Sequence, residues 1–343
     1  MSAGEQGVAV EATPQDELIR VIQAGVPFTR RPFARIADDL GSSEEAVLAD
    51  LRALSERGVL REISAVLEGS ALGYDSALVA GVVPEADVER VAKIVSAHPT
   101  VTHNYLRNHP YNLWFTVAVP RGMSLERTLS LLARECGVEA FHPLRRTLTF
   151  KIGVNFDPAT RKNVSAVVPV KAVAAVDVGE REEALFRALQ TPLPLTQQPF
   201  DELAVMAGVE PEELLGFARG HLGGAIRRYV GTLRHRKLGV RANGMVVWCV
   251  PEARAEAVGQ QLANAPEVSH CYARNTIEGF PYTHYSMIHG PDRDSCFEVA
   301  AKLSRETGIE DYAVLFSERE FKKVRLRYFL PELDEWWSAR AGS

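Results

Sequence analysis

The four cysteines of this chain, Cys136, Cys249, Cys271 and Cys296, form no C-x-x-C pair. Neither a structural zinc site nor a thioredoxin-type motif is therefore signalled, and scattered thiols of this kind read as small buried hydrophobes. No apolar run approaches the roughly 20 residues that cross a bilayer. The opening stretch MSAGEQGVAVEATPQ lacks the basic-then-apolar order of a secretory leader. Positive charge is not in excess either: 39 Lys and Arg stand against 44 Asp and Glu, a net −5, which excludes a global pull toward nucleic acid or an anionic membrane. A G-x-G-x-x-G fingerprint, a Walker motif and a Gly-rich phosphate loop are all missing. These absences leave a cytoplasmic globular protein whose 343 residues, 46% of them apolar, suffice for two to four domains around a sizeable core.

What is present is a repeat. PFTRRPFARIADDLGSSEEAVLADL begins at Pro27 and PLTQQPFDELAVMAGVEPEELLGFA at Pro194, a displacement of 167 residues; VTHNYLR at Val101 and VSHCYAR at Val268 keep the same displacement. One register held this far means two homologous halves. Each half opens with three helices, predicted in the first over 15–24, 31–40 and 43–57. A Ser42/Ser43 cap, and Val47, Leu48, Leu51 and Leu54 at helical spacing, mark the third. The tight turn Asp39-Leu40-Gly41-Ser42 is a helix-turn-helix signal. GVLREISAVLE reads as a two-stranded wing.

The period then changes to that of strands, and βαββαβ, a ferredoxin-like order, follows in each half. The expected class is α+β, a tandem duplicate of winged helix-turn-helix plus ferredoxin-like domains. The expected boundaries are 15–70 and 74–155, a linker over 156–179, then 180–238 and 243–330.

The helix-turn-helix is a poor DNA reader. A recognition helix needs Arg, Lys, Asn or Gln at its start, and phosphate contacts around it. Here those helices carry Glu44, Glu45 and Asp50, and Glu210, Glu212 and Glu213. Arg30, Arg31, Arg35, Arg227, Arg228, Arg234, Arg236 and Lys237 lie on neighbouring elements and read mainly as solvated surface.

Chemistry concentrates instead in one hairpin of each half, THNYLRNHPYNLWFT (102–116) and SHCYARNTIEGFPYTHYSMIHG (269–290). On a strand, His103, Tyr105 and Arg107 share a face, as do His270, Tyr272 and Arg274. His109 falls in the loop. Arg107 to Tyr111 spans four positions whereas Arg274 to Tyr282 spans eight, so the halves diverge where a ligand would be handled. A lone strand histidine is usually a hydrogen-bonded structural residue, and Tyr111, Trp114 and Phe115 are compatible with core. His98 and His221 have no supporting context and are expected at the surface. The density of histidine, arginine and tyrosine in paired hairpins is what favours a ligand site.

A winged helix-turn-helix followed by βαββαβ resembles the Lrp/AsnC regulators. The strings FTRRPFARIA, LGYDSALVA, VTHNYLRNHPYNLWFT and SMIHG resemble the siroheme decarboxylase branch. The resemblance covers nearly the whole chain, each half matching one of two partner types. It implies removal of the carboxyl groups from the acetates on rings C and D of siroheme, with no cofactor beyond the iron that the substrate carries. It also implies a pseudo-dimer within one chain, with further homodimerisation left open.

On that reading His109 and His289 are the expected essential pair, either one donating the proton or serving as axial ligand of the substrate iron. His103, His270, Trp114 and His284 would line the site, Tyr111 and Tyr282 would orient the substrate, and Arg107 and Arg274 would anchor carboxylates. Arg145, Arg146, Lys151, Lys322, Lys323, Arg325 and Arg327 are second choices as anchors. Two rivals are an Lrp-type transcription regulator and a haem sensor that ligates without turnover.

Overall fold

In the computed structural model, residues 13–152, 173–234 and 242–341 are described. The first half runs α1 (Pro14–Ala24), α2 (Pro32–Leu40), α3 (Glu44–Glu56), β1 (Leu60–Leu67), β2 (Tyr74–Gly81), α4 (Val88–Ala97), β3 (His103–Arg107), β4 (Leu113–Pro120), α5 (Leu125–Cys136), β5 (Phe141–Leu144) and β6 (Arg146–Lys151). The second runs α6 (Glu180–Gln190), α7 (Pro199–Ala207), α8 (Pro211–His221), β7 (Ile226–Leu233), β8 (Ala242–Trp248), α9 (Ala255–Asn264), β9 (Val268–Arg274), β10 (His284–Gly290), α10 (Arg293–Thr307), β11 (Tyr312–Lys323) and α11 (Pro331–Ala341). Among the described residues no helix is long and apolar enough to cross a membrane.

The helix ends follow local chemistry. Thr13 and Asp16 close a capping box at α1, with Pro14 in its first turn, so donors left open at the helix start are satisfied. Ser43 caps α3 by accepting from the Ala46 amide at 3.2 Å. The turn between α2 and α3 is made by Gly41 at φ +61°, and its mate Gly208 at φ +69° does the same after α7.

The wings differ from expectation. LREISAVL contains no Gly, Pro, Asn or Asp, and it forms one strand rather than a hairpin, with its partner from the other half. β1 pairs antiparallel with β7, Ile63 opposite Gly231 and Ser64 opposite Val230. The two helix-turn-helix units consequently share one core, in which Phe28 lies 5.8 Å from Phe200 and 4.9 Å from Tyr229. The expected boundaries at 70 and 180 thus separate residues that pack together. Of the expected linker, 156–172 lies outside the described residues. Val173, Val176 and Val178 pack on this core, and the Val176 amide donates to the Ala71 carbonyl.

The remaining strands form one nine-stranded sheet in the order β5-β2-β4-β3-β11-β8-β10-β9-β6. Each half contributes a βαββαβ unit whose last strand serves twice. β11 pairs with β8 through Tyr312–Phe316 and then with β3 through Ser317–Lys323. In the first half the same strand is broken at Arg145: β5 stays on β2 and β6 crosses to β9. Since β5 and β6 are consecutive, the strand order closes on itself. Helices α4 and α5 cover one stretch of the outside and α9 and α10 the other, while Ala80, Trp114 and Leu144 meet Met245, Val247, Phe280, Tyr285 and Leu315 inside. The last strand ends at Lys323 rather than near Tyr328, and α11 follows, seating Trp336 and Trp337 on the first half's helices.

Candidate active site

Strand alternation decides which side chains face inward. On β3 the Asn104 amide donates outward to the Ala92 carbonyl at 3.0 Å, so His103, Tyr105 and Arg107 turn to the inside. On β9 Cys271 packs among the outer core and sends His270, Tyr272 and Arg274 inward. On β10 the inward residues are Tyr285, Met287 and His289, and His284 points the other way. His284 is 1% exposed, with Nε2 at 2.8 Å from the Ala255 carbonyl, Nδ1 at 3.1 Å from Thr283 and its ring stacked on Phe150. It belongs to the helix-facing core, which removes it from the substrate-lining set.

Each expected arginine anchor has one nitrogen engaged across the halves, while its buried Nε has no partner among the described residues. Arg107 Nη1 donates to the Leu315 carbonyl at 2.9 Å, and Arg274 Nη1 to the Leu144 carbonyl at 2.7 Å, each reaching into the other half. Burial lowers both to about 10. Their guanidinium groups lie over Tyr105 and Tyr272, at 5.5 and 5.4 Å. They tie the halves together. Among the second choices, Arg145 pairs with Asp75 and Glu126, and Arg325 with Glu62. Lys151 donates to the Ala265 carbonyl at the end of α9, and Lys322 to the Ser96 carbonyl at the end of α4, where a cation suits exposed helix carbonyls.

The inner face has two ends. At the loop end the His109 ring lies 5.1 Å edge-on from Phe280 and runs nearly parallel to Tyr111. Its Nδ1 accepts from the Tyr111 amide at 3.0 Å, which leaves the hydrogen of the neutral ring on Nε2. Burial lowers its pKa. Tyr111 donates to the Glu278 carbonyl of the other half at 2.8 Å, and Trp114, fully buried, donates to the Tyr111 carbonyl. Phe280 plugs this end between Trp114, Tyr282 and Tyr285. Sequence reading missed it, although the four extra loop residues that carry it were the signal.

At the other end stand His103 and His270, exact mates in the 167-residue register. Each ring is fixed by the hydroxyl preceding it: Thr102 Oγ1 is 3.0 Å from His103 Nδ1, and Ser269 Oγ is 2.9 Å from His270 Nδ1. That leaves both Nε2 atoms for a ligand. Burial, together with Lys323 and Arg61, holds His103 near 4. Burial, together with His289, Arg227, His103 and Lys151, holds His270 near 4 as well. His103 is among the charges that lower His270, and the cations that act on the two rings come from β1, β6, β7 and β11. Tyr272, raised by burial, lies beneath Arg146 at 5.9 Å. Arg61 and Arg227 were read from sequence as nothing more than surface or went unremarked, because strand pairing between halves is what brings them here.

His289 completes this end. Its Nε2 is 2.6 Å from Ser269 Oγ and its Nδ1 is 2.5 Å from Asn243 Oδ1. Both nitrogens are therefore engaged, and His109 presents an N–H, so neither offers a bare nitrogen to iron in this arrangement. The expected pair is also split. His109 sits by the loop before His284, and His289 lies five residues further along the same strand, about 16 Å at ~3.3 Å per residue.

Comparison with known proteins agrees with this architecture. An AsnC-like ligand binding domain matches residues 71–151 and 237–322, and a siroheme decarboxylase NirDL-like HTH domain matches 15–61. The siroheme decarboxylase of Hydrogenobacter thermophilus is 39% identical over 94% of this chain and 97% of its own length. The chain belongs to the siroheme decarboxylase family. Within that family, the siroheme decarboxylase beta subunit of Methanosarcina barkeri is 39% identical over 42% of this chain and 95% of the subunit, which agrees with a fused pseudo-dimer. The crystal structure of the siroheme decarboxylase NirDL superposes with a TM-score of 0.78 at 35% identity, covering 96% of this chain and 99% of that one. A NirDL structure in co-complex with an iron-uroporphyrin III analogue gives 0.77 at 34% identity over the same shares. The fold is accordingly the Lrp/AsnC-like fold of the siroheme decarboxylases.

Proposed function

We propose that this chain removes carbon dioxide from the acetates on rings C and D of siroheme, giving didecarboxysiroheme, with the substrate held at the His103/His270 end of the inner face. The observation that carries the site assignment is this pair of half-buried histidines at mated positions, each ring tied at Nδ1 to the hydroxyl before it, with Arg61, Arg227 and Lys323 near enough to lower their pKa and Arg146 over Tyr272. A macrocycle bearing eight carboxylates suits such a surround, because guanidinium groups pair carboxylates in two-pronged fashion.

Loss of carbon dioxide leaves an electron pair on the exocyclic methylene, which the conjugated ring delocalises. His270 Nε2 then supplies the proton, and His103 faces the same ring from the other half. Bringing carboxylates next to these rings favours their protonated forms, reversing the effect of burial. An acetate without a cationic partner in this half-buried site is destabilised relative to the transition state, where its charge disperses. The reading needs no cofactor beyond the substrate's iron.

Duplex DNA is not a partner in this reading. Arg30, Arg31 and Arg35 are paired with Asp201, Glu44 and Asp39, and α3 and α8 begin with acids. The test is anaerobic incubation of the purified chain with siroheme, followed by mass spectrometry of the extracted pigment. Two successive losses of carbon dioxide are expected. His270→Ala should cut the rate by about 100-fold or more, and His109→Ala by much less. An unchanged pigment mass with tight binding would give the sensor reading instead, and a larger loss in His109→Ala would move the chemistry to the loop end.

A further inference from the structure

Four side chains of the second half form one hydrogen-bonded line: Asn243 Oδ1 to His289 Nδ1 at 2.5 Å, His289 Nε2 to Ser269 Oγ at 2.6 Å, and Ser269 Oγ to His270 Nδ1 at 2.9 Å. With Asn243 Oδ1 as the terminal acceptor, and the Ser269 hydroxyl turned to a histidine rather than to the Met287 carbonyl 3.4 Å away, two arrangements satisfy every member. When His289 is neutral, its Nδ1–H donates to Asn243, its Nε2 accepts the Ser269 hydroxyl, and Ser269 accepts from His270 Nδ1–H. When His289 is protonated, both its nitrogens donate, Ser269 turns its hydroxyl to His270 Nδ1, and the hydrogen of His270 lies on Nε2. The second arrangement puts a proton at the atom of the line that faces the ligand space.

The first half has only the last step. Thr102 and His103 occupy the places of Ser269 and His270, but the strand pair that holds Asn243 opposite His289 holds Ser76 opposite Ala118 in the first half. There Thr102 Oγ1 turns to Thr116 Oγ1 at 2.7 Å instead.

We infer that Asn243, His289 and Ser269 are a proton-supply line for His270, and that the second half therefore delivers the proton in each turnover; this rests on the decarboxylation proposed above. The bond between acetate methylene and carboxyl carbon breaks, carbon dioxide leaves, and the methylene electron pair takes the Nε2 proton of His270. The Ser269 hydroxyl proton moves to His270 Nδ1, the His289 Nε2 proton moves to Ser269, and His289 is left neutral until solvent reprotonates it. One proton enters and one carbon dioxide leaves per acetate, with no redox change. Asn243, His289 and Ser269 are positioning residues; of the four, only His270 touches the substrate. The charged groups that act on His270 are His289 on β10, Arg227 on β7, His103 on β3 and Lys151 on β6, all cations when protonated. They disfavour a second positive charge on His270, so the line carries its mobile charge on His289.

The full chain is tested with siroheme as the probe under anaerobic conditions, beside 15N NMR of the histidine rings without ligand. Ser269→Ala should lower kcat about tenfold or more at unchanged KM, and Ser269→Thr should restore it, as Thr102 holds the same bond in the first half. Asn243→Asp, which favours the protonated form of His289, should move the basic limb of the pH–kcat profile to higher pH, an effect a purely structural role would not produce. In the wild type the ring nitrogens of His270 and His289 should titrate together, and in Ser269→Ala independently. Equal loss in Ser269→Ala and Ser269→Thr, or independent titration in a wild type that still decarboxylates siroheme, overturns the line and leaves the function standing. A wild type that leaves siroheme unchanged, whatever its NMR, removes both.

Discussion

His98, His103 and His270 are each held below the ordinary imidazole range mainly by burial, to about 3, 4 and 4. Unfolding exposes them to water, where each binds a proton near pH 6.5. Between pH 6.5 and 4 the unfolded chain therefore holds more protons than the folded one, and stability rises with pH through that window. The melting temperature of the ligand-free chain is expected to fall steeply on acidification from pH 6.5 to 4. His98→Phe should flatten the profile, since His98 sits edge-on to Trp336 at 4.3 Å with Nε2 unpartnered. A profile no flatter in that variant would show that His98 does not bind its proton on unfolding. The sequence alone suggested a surface His98, because the helix that covers it lies at the far end of the chain. The inward placement of His103 and His270 was legible, since strand period and the repeat both mark it. Ser269 and Asn243 were not: a serine before a histidine looks ordinary until the bulge between Met287 and Ile288 is seen to bring His289 over it.

At the scale of elements, β6 shows how tightly the halves are fitted. A Cβ at Gly259 of α9 would overlap the Phe150 ring, which arrives from the first half. Gly259→Ala trades a gain in helix propensity for a clash, and overpacking typically costs about 1–3 kcal/mol. A lower urea midpoint with unchanged slope is the expected result; a raised midpoint would mean that Phe150 shifts freely. The start of α3 was readable from its Ser43 cap, because capping is local chemistry. The wing and the broken last strand were not, since single strands carry no sign of which distant edge they will join. The same gap hid part of what Arg107 and Arg274 do: period two put them on the inner face, but nothing local shows the carbonyls of Leu315 and Leu144 waiting there.

For the whole molecule, duplication was plain in the 167-residue register, and with it the α+β class. How the copies interlock was hidden, because both sheets are built from strand pairs between halves. Expressing residues 1–160 and 161–343 as separate chains should give a stable one-to-one complex when made together and poorly folded protein when made alone. Size-exclusion chromatography with circular dichroism reads this, and a well-folded single half would contradict it. The shared strands also set a timetable during synthesis. Tyr105 waits for Glu320, 215 residues later in the chain. At ~5–20 residues per second a ribosome needs roughly 10–40 s to supply that partner. Over that interval the nascent first half holds β3 and β6 with unpaired edges, templates for any neighbouring strand. Crowded polysomes, or slow codons in the second half, should therefore lower the yield of folded protein without changing the stability of the molecules that finish.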